Sequence, residues 1–323
     1  MLSVNKEAFL LVKELIINSE KFKVDVTYLD NEATVIDLGQ RVDGSWEAGR
    51  ILTEVLLGGL GEVSFETFPV KIANNYLPAV NVRTSHPLIS LAGCQISGWE
   101  LSPGNFAPIL AGPGRTLGRK ENDWLAPYID YEDEFNKAII TIESPDPVTV
   151  KQANQLAKAC NVEPNMLYIL IAPPASLTTY IQVSGRILEQ TLHRLKEENF
   201  ELDNIIQAQG FCVIPPLIDD NLISMGRMND ALIYGGHAQF TVKAEDKQVE
   251  SVIKKITSDN SKVYGRPFKE IFKEAELDFY NVPKELFSPA SVTIVNQKSG
   301  NNFKAGCFNI EVLEKSFTDT INN

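Results

Sequence analysis

The sequence predicts an α/β protein of two domains, and three observations lead there. Its 323 residues exceed the roughly 150 of an average single domain. Its 44% hydrophobic content is that of a folded globular chain. Helix-period and strand-period stretches alternate along it, the pattern of α/β architectures. The chain opens with an amphipathic helix over 4–18, where Val4, Ala8, Leu11, Leu15 and Ile16 fall near helical spacing. Strands over 24–29 and 33–38 follow, separated by the turn-formers Asp30 and Asn31. A helix over 46–57 stops at Gly58-Gly59, and a strand over 62–68 comes next.

The unit from Gly49-Arg50 to Gly58-Gly59 has a counterpart about 177 residues later, from Gly226-Arg227 to Gly235-Gly236, again with strand-like sequence behind it. Phe22 and Phe200 match at helix ends, and Pro87, Trp99 and Pro103 line up with Pro267, Phe279 and Pro283. Two readings fit. One is a faint internal duplication that makes the halves related; the other is coincidence, because helices commonly end on glycine. Pro145-Asp146-Pro147 supplies a linker, since proline interrupts both helix and ladder. The expected division is an N-terminal α/β domain over 1–145 and a C-terminal α/β domain over 146–323 that carries the helix discussed below.

Charge and composition exclude several functions. Against 42 Asp plus Glu the chain has 30 Lys plus Arg, a formal −12. That balance lacks the positive field that counterion release on nucleic acid requires, and anionic lipid would repel it. Cys94, Cys160, Cys212 and Cys307 are far apart without a C-x-x-C, and the histidines are His86, His193 and His237, so no metal signature can be assembled. The cysteines read as small buried hydrophobes. The start lacks a basic stretch followed by an apolar one, and no apolar run approaches 18 residues. A soluble cytoplasmic protein with reduced thiols is expected.

Three glycine-dense segments, 57–64, 111–115 and 224–236, match neither Gly-x-Gly-x-x-Gly nor the phosphate-binding Gly-x-x-x-x-Gly-Lys-Ser/Thr. Each reads as a turn, or as a loop whose amides approach a ligand. Arg115 beside the second could hold a phosphate or carboxylate. The segment 172–195 is more informative. Leu177, Ile181, Leu188, Leu192 and Leu195 form the apolar stripe of a helix around 177–198, with Ser176 as N-cap. A second stripe carries Gln182, Arg186, Glu189 and His193. Its bland reading is a solvated face with weak ion pairs. Against that, Arg precedes Glu, the less favourable order for a helix. Gly185 also sits in mid-helix, where it costs about 1 kcal/mol, which implies a close packing partner.

Five blocks, taken in order, are similar to the methenyltetrahydromethanopterin cyclohydrolase family: 57–64; His86-Pro87 with 91–95 and Gly98-Trp99; 112–115; 172–189; and 225–236, with Tyr264–Phe268 behind them. The likeness runs essentially end to end and departs at Pro174, Met228 and the stretch 83–86. It implies a cytoplasmic homotrimer that uses no cofactor and no metal, and whose two α/β domains hold a pterin pocket between them. The implied reaction is reversible hydrolysis of 5,10-methenyl-5,6,7,8-tetrahydromethanopterin to the 5-formyl compound. The family's catalytic Arg and Glu fall on Arg186 and Glu189. Around a cationic substrate, Glu189 is expected to act as general acid/base, with Arg186 pairing with it and orienting it. Glu62, Gln95, Arg115, Glu143, Gln182, Arg227, Asn229 and Asp230 are the expected substrate-binding residues. Amide and carboxylate groups match a pterin edge, although Asn and Asp serve equally as caps and turn residues. A methenyl-folate hydrolase and a catalytically silent pterin-binding protein are the alternatives.

Overall fold

The computed structural model describes residues 2–96, 109–118 and 131–318; Gly98, Trp99 and Pro103 of the sequence motifs lie outside them. In chain order the elements are α1 (Val4–Ile17), α2 (Ser19–Phe22), β1 (Asp25–Tyr28), β2 (Thr34–Asp37), α3 (Trp46–Leu56), β3 (Gly61–Thr67) and β4 (Pro78–Thr84). A π-helix (Leu88–Gln95), β5 (Ile109–Ala111), a 3-10 turn (Pro113–Leu117), β6 (Ala138–Glu143), α4 (Val150–Ala159), β7 (Leu167–Ala172), α5 (Leu177–Ser184) and α6 (Ile187–Glu197) follow. Then come β8 (Ile205–Val213), α7 (Asn221–Gly235), β9 (His237–Val242), α8 (Asp246–Val252), α9 (Phe268–Glu274), β10 (Ser291–Asn296), β11 (Asn302–Gly306) and α10 (Ile310–Thr318). The α/β class is as expected, with each predicted opening element within a residue or two of its place.

The chain divides into two compact units, each made of two stretches: Met1–Glu62 with Leu88–Gln182, and Val63–Pro87 with Val183–Asn323. Residues 145 and 146 therefore lie inside the first unit, because β6 and β7 on either side of them are paired in parallel. Among the described residues the first unit holds a five-stranded sheet in the order β1-β2-β7-β6-β5. Its central strands are apolar on both faces, as strands covered on both sides must be. Ile36, Ile139, Leu170 and Ala172 pack with Ala8, Val12 and Leu15 of α1 and Ile51, Val55 and Leu56 of α3. Val35, Ile140, Ile142, Ile169 and Ile171 pack with Ala153, Leu156 and Ala157 of α4. Full burial of each Val, Leu or Ile among them contributes about 1.5–3 kcal/mol.

One buried amide ties this unit together. Asn5 Nδ2 donates to the Pro113 carbonyl at 2.9 Å and to Asp133 Oδ2 at 3.0 Å, while its Oδ1 accepts the Ile139 amide at 3.2 Å. The α1 start, the 3-10 turn with Arg115 and the β6 start are thus braced through one side chain.

The second unit holds a six-stranded sheet in the order β11-β10-β9-β8-β4-β3. Its strands alternate buried and half-exposed residues, as in β9, where Ala238, Phe240 and Val242 are buried. In register beside them on β8, Ala208 and Gly210 present the same face, and Leu188 of α6 lies over Gly210. The two glycine pairs of the repeat do different work. Gly58 and Gly59 have φ of +67° and +68°, the left-handed region that glycine enters without a steric cost. Gly236 has an ordinary extended φ of −87° and is needed for closeness instead, as shown below. Cys94, Cys160 and Cys212 are buried as expected, but Cys307 is exposed, because it follows β11 at the sheet edge, where outward positions meet solvent.

Among the described residues no helix is long and apolar enough to cross a membrane. Among them, too, no group of three or more His, Cys, Asp or Glu side chains gathers as metal ligands do.

Candidate active site

The segment expected to form one helix over 177–198 is two helices. Ser176 Oγ accepts the Thr179 amide at 3.2 Å, the N-cap contact of α5. Helix α5 ends at Ser184, Gly185 and Arg186 form a turn, and α6 begins at Ile187. Gly185 is therefore not tolerated inside a helix; its low helix propensity coincides with the break. Ser184, fully buried, donates its hydroxyl to the Val213 carbonyl at 3.1 Å. That contact pins the turn to the end of β8. Sequence reasoning missed Ser184, although a small polar residue directly before a glycine was the available signal.

From this turn the two expected catalytic residues project together. Arg186 precedes α6 and Glu189 occupies its first turn, where the helix N-terminus favours negative charge. Arg186 Nη1 stands 3.4 Å from Glu189 Oε2, and the two side chains are only 12% and 15% exposed. An ion pair so shielded is held more firmly than a surface pair. His193 lies one turn further along α6, half-buried. The opposite end of α6 is anchored by Arg194, 5% exposed, whose guanidinium pairs with Glu197 and with Glu198 and also donates to the Lys255 carbonyl at 3.2 Å.

Close approach at Gly236 positions the turn. A Cβ built there would lie 2.3 Å from Ile187 Cδ1 and 2.7 Å from the Leu232 carbonyl oxygen. Ile187 stands between Arg186 and Glu189 in sequence, so bulk at 236 pushes on the start of α6. Gly236→Ala is expected to lower stability by about 1–3 kcal/mol, the cost of overpacking, and to reduce turnover as the pair shifts. Urea titration alongside kcat measures both; a variant with unchanged values would show that this contact does not hold the turn.

The remaining expected residues fall into separate groups. In the first unit, Gln182 Nε2 at the end of α5 donates to Glu143 Oε2 at 3.2 Å. Gln95, fully buried, ends the π-helix, a rare backbone form that is frequent at functional sites. Arg115, in the 3-10 turn, donates through Nη1 to the Ile96 carbonyl. Next to it the Cys94 thiol is pushed far above its ordinary range by burial, against a smaller lowering by Arg115, so it stays protonated and unreactive. Glu62 is exposed on β3.

In the second unit, Arg227, 5% exposed, donates from Nη1 to the Pro216 carbonyl at 2.7 Å. Asn229 Nδ2 turns back to the Met225 carbonyl of its own helix at 2.9 Å. Asp230 is wholly buried, with Oδ1 accepting the Phe268 amide at 2.8 Å and Oδ2 the Ser316 hydroxyl at 2.6 Å. Burial first, with a smaller push from Glu270, raises its pKa to about 7, against the lowering effect of the two hydrogen bonds. The structure thus brings Arg186 to Glu189 and Gln182 to Glu143, while Asn229 and Asp230 bond within α7 and its neighbours.

Comparison with known proteins gives the chain's family. A family model described as Cyclohydrolase (MCH) matches residues 3–317. A methenyltetrahydromethanopterin cyclohydrolase of Methanocaldococcus jannaschii is 39% identical over 318 residues, 98% of each chain. The enzyme of that name from Methanospirillum hungatei is 40% identical over 317 residues, 98% of this chain and 99% of the relative. That of Methanothermobacter marburgensis is 37% identical over 320 residues, covering 98% and 99%. With a single family model spanning nearly its whole length and relatives of one name aligned end to end, the chain belongs to the methenyltetrahydromethanopterin cyclohydrolase family of hydrolases.

Proposed function

We propose that the protein catalyses the reversible hydrolysis of 5,10-methenyl-5,6,7,8-tetrahydromethanopterin to 5-formyl-5,6,7,8-tetrahydromethanopterin, with Glu189 as general acid/base and Arg186 as its orienting partner. The observation that carries the reading is the shielded Arg186–Glu189 pair at 3.4 Å, set at a helix start. The substrate is an amidinium-like cation, and a carboxylate beside it stabilises that charge. As water adds to the bridge carbon, Glu189 takes one of its protons, leaving a neutral carbinolamine. The carbon–nitrogen bond away from N5 then breaks. Protonated Glu189 gives its proton to the leaving nitrogen, while the hydroxyl loses its own to solvent as the formyl C=O forms. One proton is released overall, as the loss of the substrate's positive charge requires.

Arg186 does not serve as the acid, because a guanidinium holds its proton too tightly. Its fixed fork suits it to orienting Glu189 and to donating a hydrogen bond to the oxygen as charge develops there. Pairing with Glu189 offsets the repulsion that a bare cation would exert on a cationic substrate. Glu62, Gln95, Arg115, Glu143, Gln182, Arg227 and Asn229 are proposed as substrate contacts, and Asp230 as framework. The reaction consumes only water, and the reading carries with it a homotrimer in the cytoplasm.

The test is direct. Purified protein added to the methenyl compound should discharge the absorbance of the methenyl chromophore, and the product should be the 5-formyl isomer. Faster turnover of methenyl-tetrahydrofolate would move the assignment to that carrier. Binding without any absorbance change would leave a catalytically silent pterin-binding protein.

A further inference from the structure

Within the second unit, α7, α9 and α10 enclose a cleft of about 470 Å³ whose lining includes Arg227, Lys269, Lys273, Lys315, Glu270 and Ser316. Four cationic side chains thus converge on one concavity in a chain whose formal charge is −12. The lone carboxylate among them does not cancel this field. Glu270 pairs with Lys315, one of the four, at 2.8 Å, and Arg266 at 3.7 Å from it is also engaged by Glu274, so an excess of three positive charges remains on the lining. The Arg227 guanidinium is held in place by its contact with the Pro216 carbonyl, and the α7 backbone comes close to Lys269 at Gly226. Part of the wall is apolar, from Ile223 and Pro267. A concave surface of one sign with low-dielectric walls concentrates its field and its counterions.

We propose that this cleft binds a multiply charged oxyanion group, phosphate or carboxylate, carried by a small molecule. The volume lies within the roughly 300–1,000 Å³ typical of small-molecule sites, so the occupant is larger than an isolated monatomic ion. Arginine and lysine grouped around one concavity are the standard recognition chemistry for such anions. Ser316 adds a hydroxyl at the lining whose proton goes to Asp230, leaving its oxygen lone pairs as acceptors and placing anion recognition on the cations. The site shares Arg227 with the expected substrate contacts, but its three lysines and its binding test do not involve the reaction, so it stands whether or not the hydrolytic reading holds.

Calorimetric titration with pyrophosphate, and separately with citrate, at low ionic strength tests the proposal and separates the two anion types. Binding by the intact protein is expected, and the tighter of the two probes names the preferred group. The double variant Lys273→Gln/Lys315→Gln should weaken it about tenfold or more, the scale of lost charge-assisted contacts. Glu270→Gln, which removes the one carboxylate, should tighten it. Lys151→Gln, which removes one positive charge from α4 in the other unit, should leave it unaltered. Both lysines of the double variant are exposed, so the fold is expected to survive, and circular dichroism checks that. Absence of binding by the intact protein overturns the proposal. So does equal weakening by Lys151→Gln, or a Glu270→Gln variant that binds no better.

Discussion

Glu189→Gln is expected to lower turnover of the methenyl substrate by about two orders of magnitude or more, the scale of a lost general base, with the fold and oligomeric state unchanged. The amide keeps the size of the carboxylate and can still meet Arg186 across the 3.4 Å contact. It cannot take a proton from the attacking water, nor balance the guanidinium charge. Two readouts separate chemistry from packing. If Glu189 is the base, kcat falls while the thermal midpoint moves by only a few degrees, because a side chain 15% exposed loses little apolar burial on this change. If it were only a structural partner of Arg186, stability would fall and kcat would follow in proportion. A cationic substrate adds a second sign: with the carboxylate gone, the negative charge that favours the cation is lost and KM should rise. Turnover within a few-fold of the parent, with stability retained, would remove Glu189 from the mechanism.

How much of this was legible beforehand depended on whether the signal was local. The first helix, the β1–β2 hairpin, α3 and β3 are written in periodicities and turn residues a few positions apart, and each appears within a residue or two of its expected place. The Arg186–Glu189 pair was legible too, since a spacing of three on helical backbone makes neighbours. The chain's division was not. Residues 63–87 join the second unit because β4 pairs antiparallel with β8, Ala79 opposite Val213 and Thr84 opposite Ala208. A pairing across more than 120 positions leaves no mark in local composition. The π-helix over Leu88–Gln95 was equally hidden, because its widened turn arises from contacts rather than from any one residue's propensity. The Gly185 break shows the opposite failure. The glycine carries a helix penalty and the apolar stripe running through it argues for one continuous helix, whereas two helices in sequence preserve the stripe and avoid the penalty. Gly235-Gly236 resembled Gly58-Gly59 in sequence, yet only the earlier pair has positive φ, so identical letters answered different constraints.

Asp230→Asn is expected to make the protein more stable at pH 8 by roughly 2–4 kcal/mol and to flatten part of its pH dependence. In the folded protein this carboxyl titrates near 7, against about 3.9 in an unfolded chain. Between those values the folded state keeps a proton that the unfolded state has lost. The stability contributed by protonated Asp230 is therefore fully present below about pH 4 and is lost as pH rises through about 7. Three units at about 1.4 kcal/mol each set the upper end of the effect. Asparagine reproduces the protonated geometry: its Oδ1 can accept the Phe268 amide, and its Nδ2 can donate to Ser316 Oγ, which turns from donor to acceptor. It brings no charge into a site with no exposed surface. Many of the 42 acidic residues give the parent a pH slope of their own, so the informative quantity is the difference between parent and variant. Urea midpoints at pH 5 and pH 8 supply it. About 1.5 kcal/mol of the difference should already be present at pH 5, roughly one unit above the unfolded value, and it should grow in favour of the variant towards pH 8. A variant less stable than the parent at pH 8 would mean that the negative charge itself is used by the fold. In that case the hydrogen bonds from Phe268 and Ser316 would outweigh desolvation, and Asp230 would act as an ionised anchor joining α7 to α9 and α10.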